Sequence, residues 1–164
     1  MISRQNVIGC IIAVLLLASS MAIYLISADP GYDVNFNDFH QGTRADQIEE
    51  ERNVVVTDNE TWTDLWIEMH HVNGLPPPTP YVNFTSEWLI AVFLGIRPSG
   101  GYSVNITRIG RSLFSYKVYY EELAWQELAI SIETYPFHIV KISSSPPDLP
   151  VQFIYSYVPV YPPE

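Results

Sequence analysis

The stretch Trp88-Leu-Ile-Ala-Val-Phe-Leu-Gly-Ile-Arg-Pro-Ser-Gly-Gly-Tyr-Ser-Val-Asn-Ile106 decides the fold. Its first seven residues are apolar throughout and read as a buried strand. Pro98-Ser-Gly-Gly101 is a tight reversal. From Tyr102 to Ile109 apolar and polar residues alternate, the mark of a half-buried strand. Gly100 and Gly101 are free to take positive φ, so the turn is expected to let another backbone or a ligand come close. The stretch contains no catalytic constellation.

On its N-terminal side the clearest element is a helix. Thr57 with Glu60 three residues later reads as a capping box. Trp62, Leu65, Trp66 and Met69 fall at i, i+3, i+4 and i+7, which is one helical face, expected to pack on the sheet. Before it, Val34, Phe36 and Phe39 suggest a strand ending at Gly42, residues 43–52 a solvated polar connection, and Asn53–Val56 a short strand. After it, Pro76-Pro77-Pro78-Thr79-Pro80 excludes helix and reads as a stiff loop crossing one end of the sheet. On the C-terminal side, Tyr102–Ile109 is expected to turn at Gly110-Arg111 into a tyrosine-rich strand, Leu113–Glu121, followed by a loop near Leu123–Glu127. Ala129–Glu133 and Phe137–Ser143 are strand-like, and Val151–Val158 is a closing strand. The fold class is α+β: a predominantly antiparallel sheet with one packed amphipathic helix, preceded by an N-terminal transmembrane helix.

That N-terminal helix rests on Val7–Ile26, twenty residues without a charge, long enough to cross a hydrocarbon core of ~30 Å. A cleavable signal has a shorter apolar region, so an uncleaved signal anchor is favoured over a cleaved peptide, which would leave a secreted protein. Arg4 on the short side places the remainder on the extracytoplasmic face of a cell membrane. The expected domains are an anchor at 1–28, a linker at 29–33, a β-rich extracytoplasmic domain at 34–158 and a Pro-rich tail at 159–164. Cys10 is the one cysteine, so the exported part has neither disulfides nor thiol chemistry.

Among 164 residues, all eighteen Asp and Glu and seven of the eight Lys and Arg lie after Ala28, giving that part a net charge of −11. Such a surface repels nucleic acid, and no nucleic-acid partner is expected.

The ordered segments resemble the PrcB C-terminal domain family, from a protease-complex subunit, over roughly Phe39 to Phe153. They are Asn53-Val-Val-Val56, Trp62-Thr-Asp-Leu-Trp66, Pro80-Tyr-Val-Asn-Phe84, Gly95-Ile-Arg-Pro-Ser-Gly-Gly-Tyr102 with Val104 and Ile106, Tyr135-Pro-Phe-His-Ile-Val-Lys-Ile142, and Val151-Gln-Phe153. Ser99 stands where the family often has Thr, and Asn83 where it often has Asp. The resemblance implies an exported, non-catalytic domain that accompanies a secreted or envelope protease.

The residues themselves point away from catalysis. Gly-x-Ser-x-Gly is absent, and Ser99 reads as bonded to its own turn. His138 lies inside an apolar strand-like run, the setting of a structural histidine. His70 and His71 diverge by about 100° on a helix and do not converge on a metal as an i, i+4 pair would. Neither metal nor cofactor is expected. Three sequons, at Asn59, Asn83 and Asn105, are candidate glycosylation sites. A binding surface remains: Arg97 beside the Gly-Gly turn is expected to meet a partner's carboxylate, with Ser99, Gly100, Gly101 and Tyr102, and Tyr116, Tyr119 and Tyr120 extend it as a tyrosine platform. The function expected is a membrane-tethered protein-binding domain, an accessory or regulator of a protease; the alternative is a structural or carbohydrate- or ion-binding envelope module unrelated to proteolysis.

Overall fold

A strand that is apolar at every position has to be covered on both faces, and this requirement organises the molecule. In the computed structural model of the protein, residues 31–45, 47–70, 75–125 and 130–161 are described. All six residues of β4 (Trp88–Phe93) are buried. Trp88, Ile90 and Val92 point into one core, Leu89, Ala91 and Phe93 into another.

The central sheet is made of β2 (Asn37–Gly42), β3 (Arg52–Val56), β4 and β7 (Phe137–Ile142), in the order β2-β7-β4-β3, and every pairing is antiparallel. Helix α1 (Asn59–His70) covers one face through Trp62, Leu65, Trp66 and Met69, the side chains anticipated from their spacing. The other face is covered by the outer sheet, β1 (Tyr32–Asp33), β5 (Tyr102–Arg111), β6 (Tyr116–Trp125) and β8 (Val151–Val160), in the order β1-β5-β6-β8. Val104, Ile106, Ile109, Tyr116, Val118 and Tyr120 line that contact. Each large apolar side chain buried this way contributes roughly 1.5–3 kcal/mol. The sandwich is also stitched by polar contacts: Gln41 Nε2 donates to the Val104 carbonyl at 2.8 Å, and His138 Nδ1 accepts the Ile106 N–H at 2.9 Å.

The described residues form an α+β fold of mostly antiparallel sheet with one helix. Several local expectations are corrected. The helix begins at Asn59, and its cap is Asp58 rather than Thr57: Asp58 Oδ1 accepts the Thr61 N–H at 2.8 Å. The β5–β6 turn lies at Ser112–Ser115, not Gly110-Arg111, and β6 continues to Trp125 through the anticipated loop. Residues 130–133 form no strand. Ala45 and Ile48 of the polar connection are buried. β8 runs through Pro159 to Val160, where a tail is expected, and lies parallel to β6. Proline fits there because β8 is an edge strand. The proline-rich segment straps the helix: the indole N–H groups of Trp62 and Trp66 donate to the carbonyls of Pro80 (2.9 Å) and Pro77 (3.0 Å). Prolines lack donors but keep acceptors, so this stretch can serve both indoles.

The apolar stretch 7–26 and Cys10 lie outside the described residues. Among the described residues no helix is long and apolar enough to cross a membrane.

Candidate functional site

The turn after β4 creates an ionic hub. Gly95 has φ of 69°, and a Cβ built there would fall 2.4 Å from the Glu49 carbonyl oxygen. Only glycine fits that approach. It lets the next residue's N–H, that of Ile96, donate to Glu49 O at 2.9 Å, while Arg97 pairs through its backbone with Thr134. Gly100 shows no such need. Positive φ among the described glycines belongs to Gly31 and Gly95, and a Cβ at Gly100 would meet its nearest atoms at 3.8 Å.

Arg97 does not present a free guanidinium to a partner. Its Nε donates to Glu122 Oε1 at 2.7 Å, and its Nη2 donates to Glu122 Oε2 at 3.0 Å and to Glu51 Oε1 at 2.6 Å. Nη1 donates to the carbonyls of Leu94 (2.6 Å) and Ile96 (3.1 Å). Its side chain is 16% exposed and that of Glu122 6%. The Tyr155 hydroxyl donates to Glu122 Oε2 at 2.9 Å. Burial works against the Glu122 charge, but Arg97 and the Tyr155 hydroxyl outweigh it and hold the carboxyl below its ordinary range. Hydrogen bonding to Glu122 raises the Arg97 pKa above its ordinary value, against a smaller effect of burial. Burial first, then the bond to Glu122, pushes the Tyr155 phenol up to about 12. The fork-to-fork ion pair and the neighbouring acceptors thus engage the five N–H donors of the Arg97 guanidinium.

The expected tyrosine platform does not assemble. Tyr116 and Tyr120 face the core between the sheets: Tyr116 packs edge-on to Trp88 at 5.5 Å, and Tyr120 tilts against Tyr155 at 5.6 Å. Tyr119 alternates to the opposite face, under the Arg108 guanidinium at 5.3 Å. Tyr102 is half-buried at the far end of β5. Ser99 Oγ accepts the Gly101 N–H at 3.4 Å, as its own turn suggests.

His138 is fully buried, with Nδ1 occupied by the Ile106 N–H and Nε2 3.1 Å from Asp38 Oδ1. A backbone donor on Nδ1 places the ring hydrogen on Nε2. Burial lowers its pKa, and Asp38 opposes that only in part. His40 and His70 stack at 5.7 Å beside Trp66. Among the described residues no three His, Cys, Asp or Glu side chains are grouped to hold a metal. Of the sequons, Asn59 and Asn83 are exposed and Asn105 is partly buried on β5. Asn83 Oδ1 accepts from the Thr85 hydroxyl at 2.7 Å.

The surface that sequence reasoning missed is β8. It is the outermost strand beside β6 and has no second strand neighbour among the described residues. From Val151 to Val160 it carries no charged residue. Ile154, Tyr155 and Tyr157 are exposed along it, with Trp125 on β6 and Tyr161 just beyond. The readable signal was the missing charge: edge strands usually carry lysine or another guard. No curated protein and no solved structure matches the chain. Residues 88–143, from the start of β4 to just past β7 and so narrower than the Phe39–Phe153 of the sequence resemblance, match the family model of the PrcB C-terminal domain.

Proposed function

We propose that this chain is a membrane-tethered, extracytoplasmic protein-binding domain without catalysis of its own, an accessory or regulator of a secreted or envelope protease. The observation that carries the reading is the uncharged, ten-residue edge of β8. An edge of that length offers backbone groups to an extended segment of a partner, and the half-exposed Tyr155 and Tyr157 offer amphipathic contacts beside it. The family match supports a protease-complex partner by its name alone. The non-catalytic part is supported by the occupation of Ser99 and His138 in turn and core. The apolar stretch 7–26 supports the tether, and Arg4 on its short side supports the extracytoplasmic placement of the rest.

The test is a photo-reactive residue placed at Ser156 on β8 of the full chain in its own membranes, with a control at Ser131. Adducts of Ser156 containing a protease subunit are the expected result. Identical adducts from both positions, or turnover of a substrate by the purified chain, would overturn the proposal.

A further inference from the structure

The hairpin joining β5 to β6 ends in an exposed apolar tip. Leu113 is 61% and Phe114 56% exposed. The turn that carries them is firmly built. The Ser112 N–H donates to the Ser115 carbonyl at 2.9 Å, and Ser112 Oγ accepts the N–H groups of Phe114 (3.2 Å) and Ser115 (3.1 Å). Two large apolar side chains are thus held outward together, where neither adds to a core.

The chain enters the fold beside this tip. The Val34 N–H donates to the Ile109 carbonyl at 2.7 Å, and Arg108 Nε pairs with Asp33 at 2.6 Å. Ile109 is three residues from Ser112, about 10 Å along a strand. The apolar stretch ends at Ile26, eight residues before Val34, so the connection spans at most about 28 Å. The other end of β5, at Tyr102, lies roughly 30 Å away from the tip. Charge divides the domain in the same direction. From Tyr102 to Tyr120, the hairpin that carries the tip, the chain has Arg108, Arg111 and Lys117 and no Asp or Glu. At the tip Arg108 is balanced by Asp33 and Arg111 by Asp148, and Lys117 adds a positive charge. Elsewhere the domain is strongly acidic, so headgroups are least repelled here.

From these observations we infer that Leu113 and Phe114 form a membrane-contact element, seated at the headgroup–acyl boundary of the bilayer that holds the N-terminal anchor. The inference rests on the tethered reading above. Two side chains alone would bind lipid weakly, but the anchor keeps them at high local concentration, and a weak contact then suffices to set the domain's orientation.

The test uses the full chain with Cys10→Ser, reconstituted in phosphatidylcholine vesicles, with a nitroxide on Phe114→Cys or, as control at the opposite end, on Ser131→Cys. Resistance to alkaline carbonate extraction reads the anchor separately. The expected result is that the Phe114→Cys nitroxide collides more with oxygen than with a water-soluble nickel chelate, and the Ser131→Cys nitroxide the reverse. A chain that resists extraction yet shows Phe114→Cys as water-exposed as Ser131→Cys overturns the contact and leaves the anchor standing. A chain that washes off overturns both.

Discussion

His138 Nδ1, on the central sheet, accepts the backbone N–H of Ile106, on the outer sheet, at 2.9 Å. A buried backbone donor between two packed sheets has no water to turn to, so the imidazole is its partner.

Removing that acceptor is expected to be costly and to change the response to acid. His138→Phe leaves the Ile106 N–H unsatisfied, a loss of about 1–3 kcal/mol. Because burial holds the folded pKa below the ordinary 6.5, the unfolded chain takes up the proton first. The contribution of His138 is therefore complete above pH 6.5 and declines as the pH falls from 6.5 toward the folded value. Urea unfolding at pH 7.5 and 5.5 checks this: the wild type should lose more stability between the two than His138→Phe. Equal losses would show that the residue does not titrate in this way. His40, also lowered by burial and by His70, is present in both proteins and cancels.

Arg97→Met should destabilise the domain by about 3 kcal/mol, because it strands the Glu122 carboxylate in a site where its side chain is 6% exposed. Arg97→Met with Glu122→Leu should recover most of that loss, since no charge is then left buried. Denaturant midpoints of the single and double variants decide between this and a merely exposed ion pair, for which the single variant would cost under about 1 kcal/mol.

The glycines separate by geometry. Gly95→Ala meets both a positive φ and backbone atoms of Glu49 and Glu50 within 3.0 Å, and should cost about 2 kcal/mol or more. Gly100→Ala should be neutral within about 0.5 kcal/mol. Gly110→Ala, with nothing within 4 Å of the added carbon, should be neutral or stabilise by up to about 1 kcal/mol. Thermal unfolding resolves the series, at about 2–4 °C per kcal/mol for a chain of this size. A Gly100→Ala variant as damaging as Gly95→Ala would contradict the assignment of the tight approach to Gly95.

Asp58→Ala should cost about 1 kcal/mol through loss of the helix cap, whereas Thr57→Ala should change little. The Thr61 N–H holds the Asp58 carboxyl below its ordinary value, so its contribution is present above the usual carboxylate range and fades as pH falls through it. Circular dichroism during urea titration of the two variants would read the difference.

The apolar run at β4 and the aromatic face of α1 were legible because burial on both faces, or on one helical stripe, leaves an unmistakable period in the residues. The hub at Arg97 was not. Its partners Glu51 and Glu122 lie 46 and 25 residues away, and alternation tells which face a side chain takes but not which distant group waits there. The tyrosines of β6 illustrate the same limit: Tyr116, Tyr119 and Tyr120 are close in sequence, yet the pleat sends the first and last inward and the middle one outward. The parallel partnership of β8 was hidden for a further reason, since a strand's own residues do not record the direction of its neighbour.

That partnership has a consequence for the order in which the domain completes itself. Translation delivers the hairpin of β5 and β6 first, then β7, which joins the other layer, and only then β8, which must cross back to lie along the full length of β6. Until the final ten-residue strand leaves the ribosome, the backbone of β6 stays unsealed along one side. Nascent chains stalled before Val151 should consequently be open to capture by chaperones or by one another.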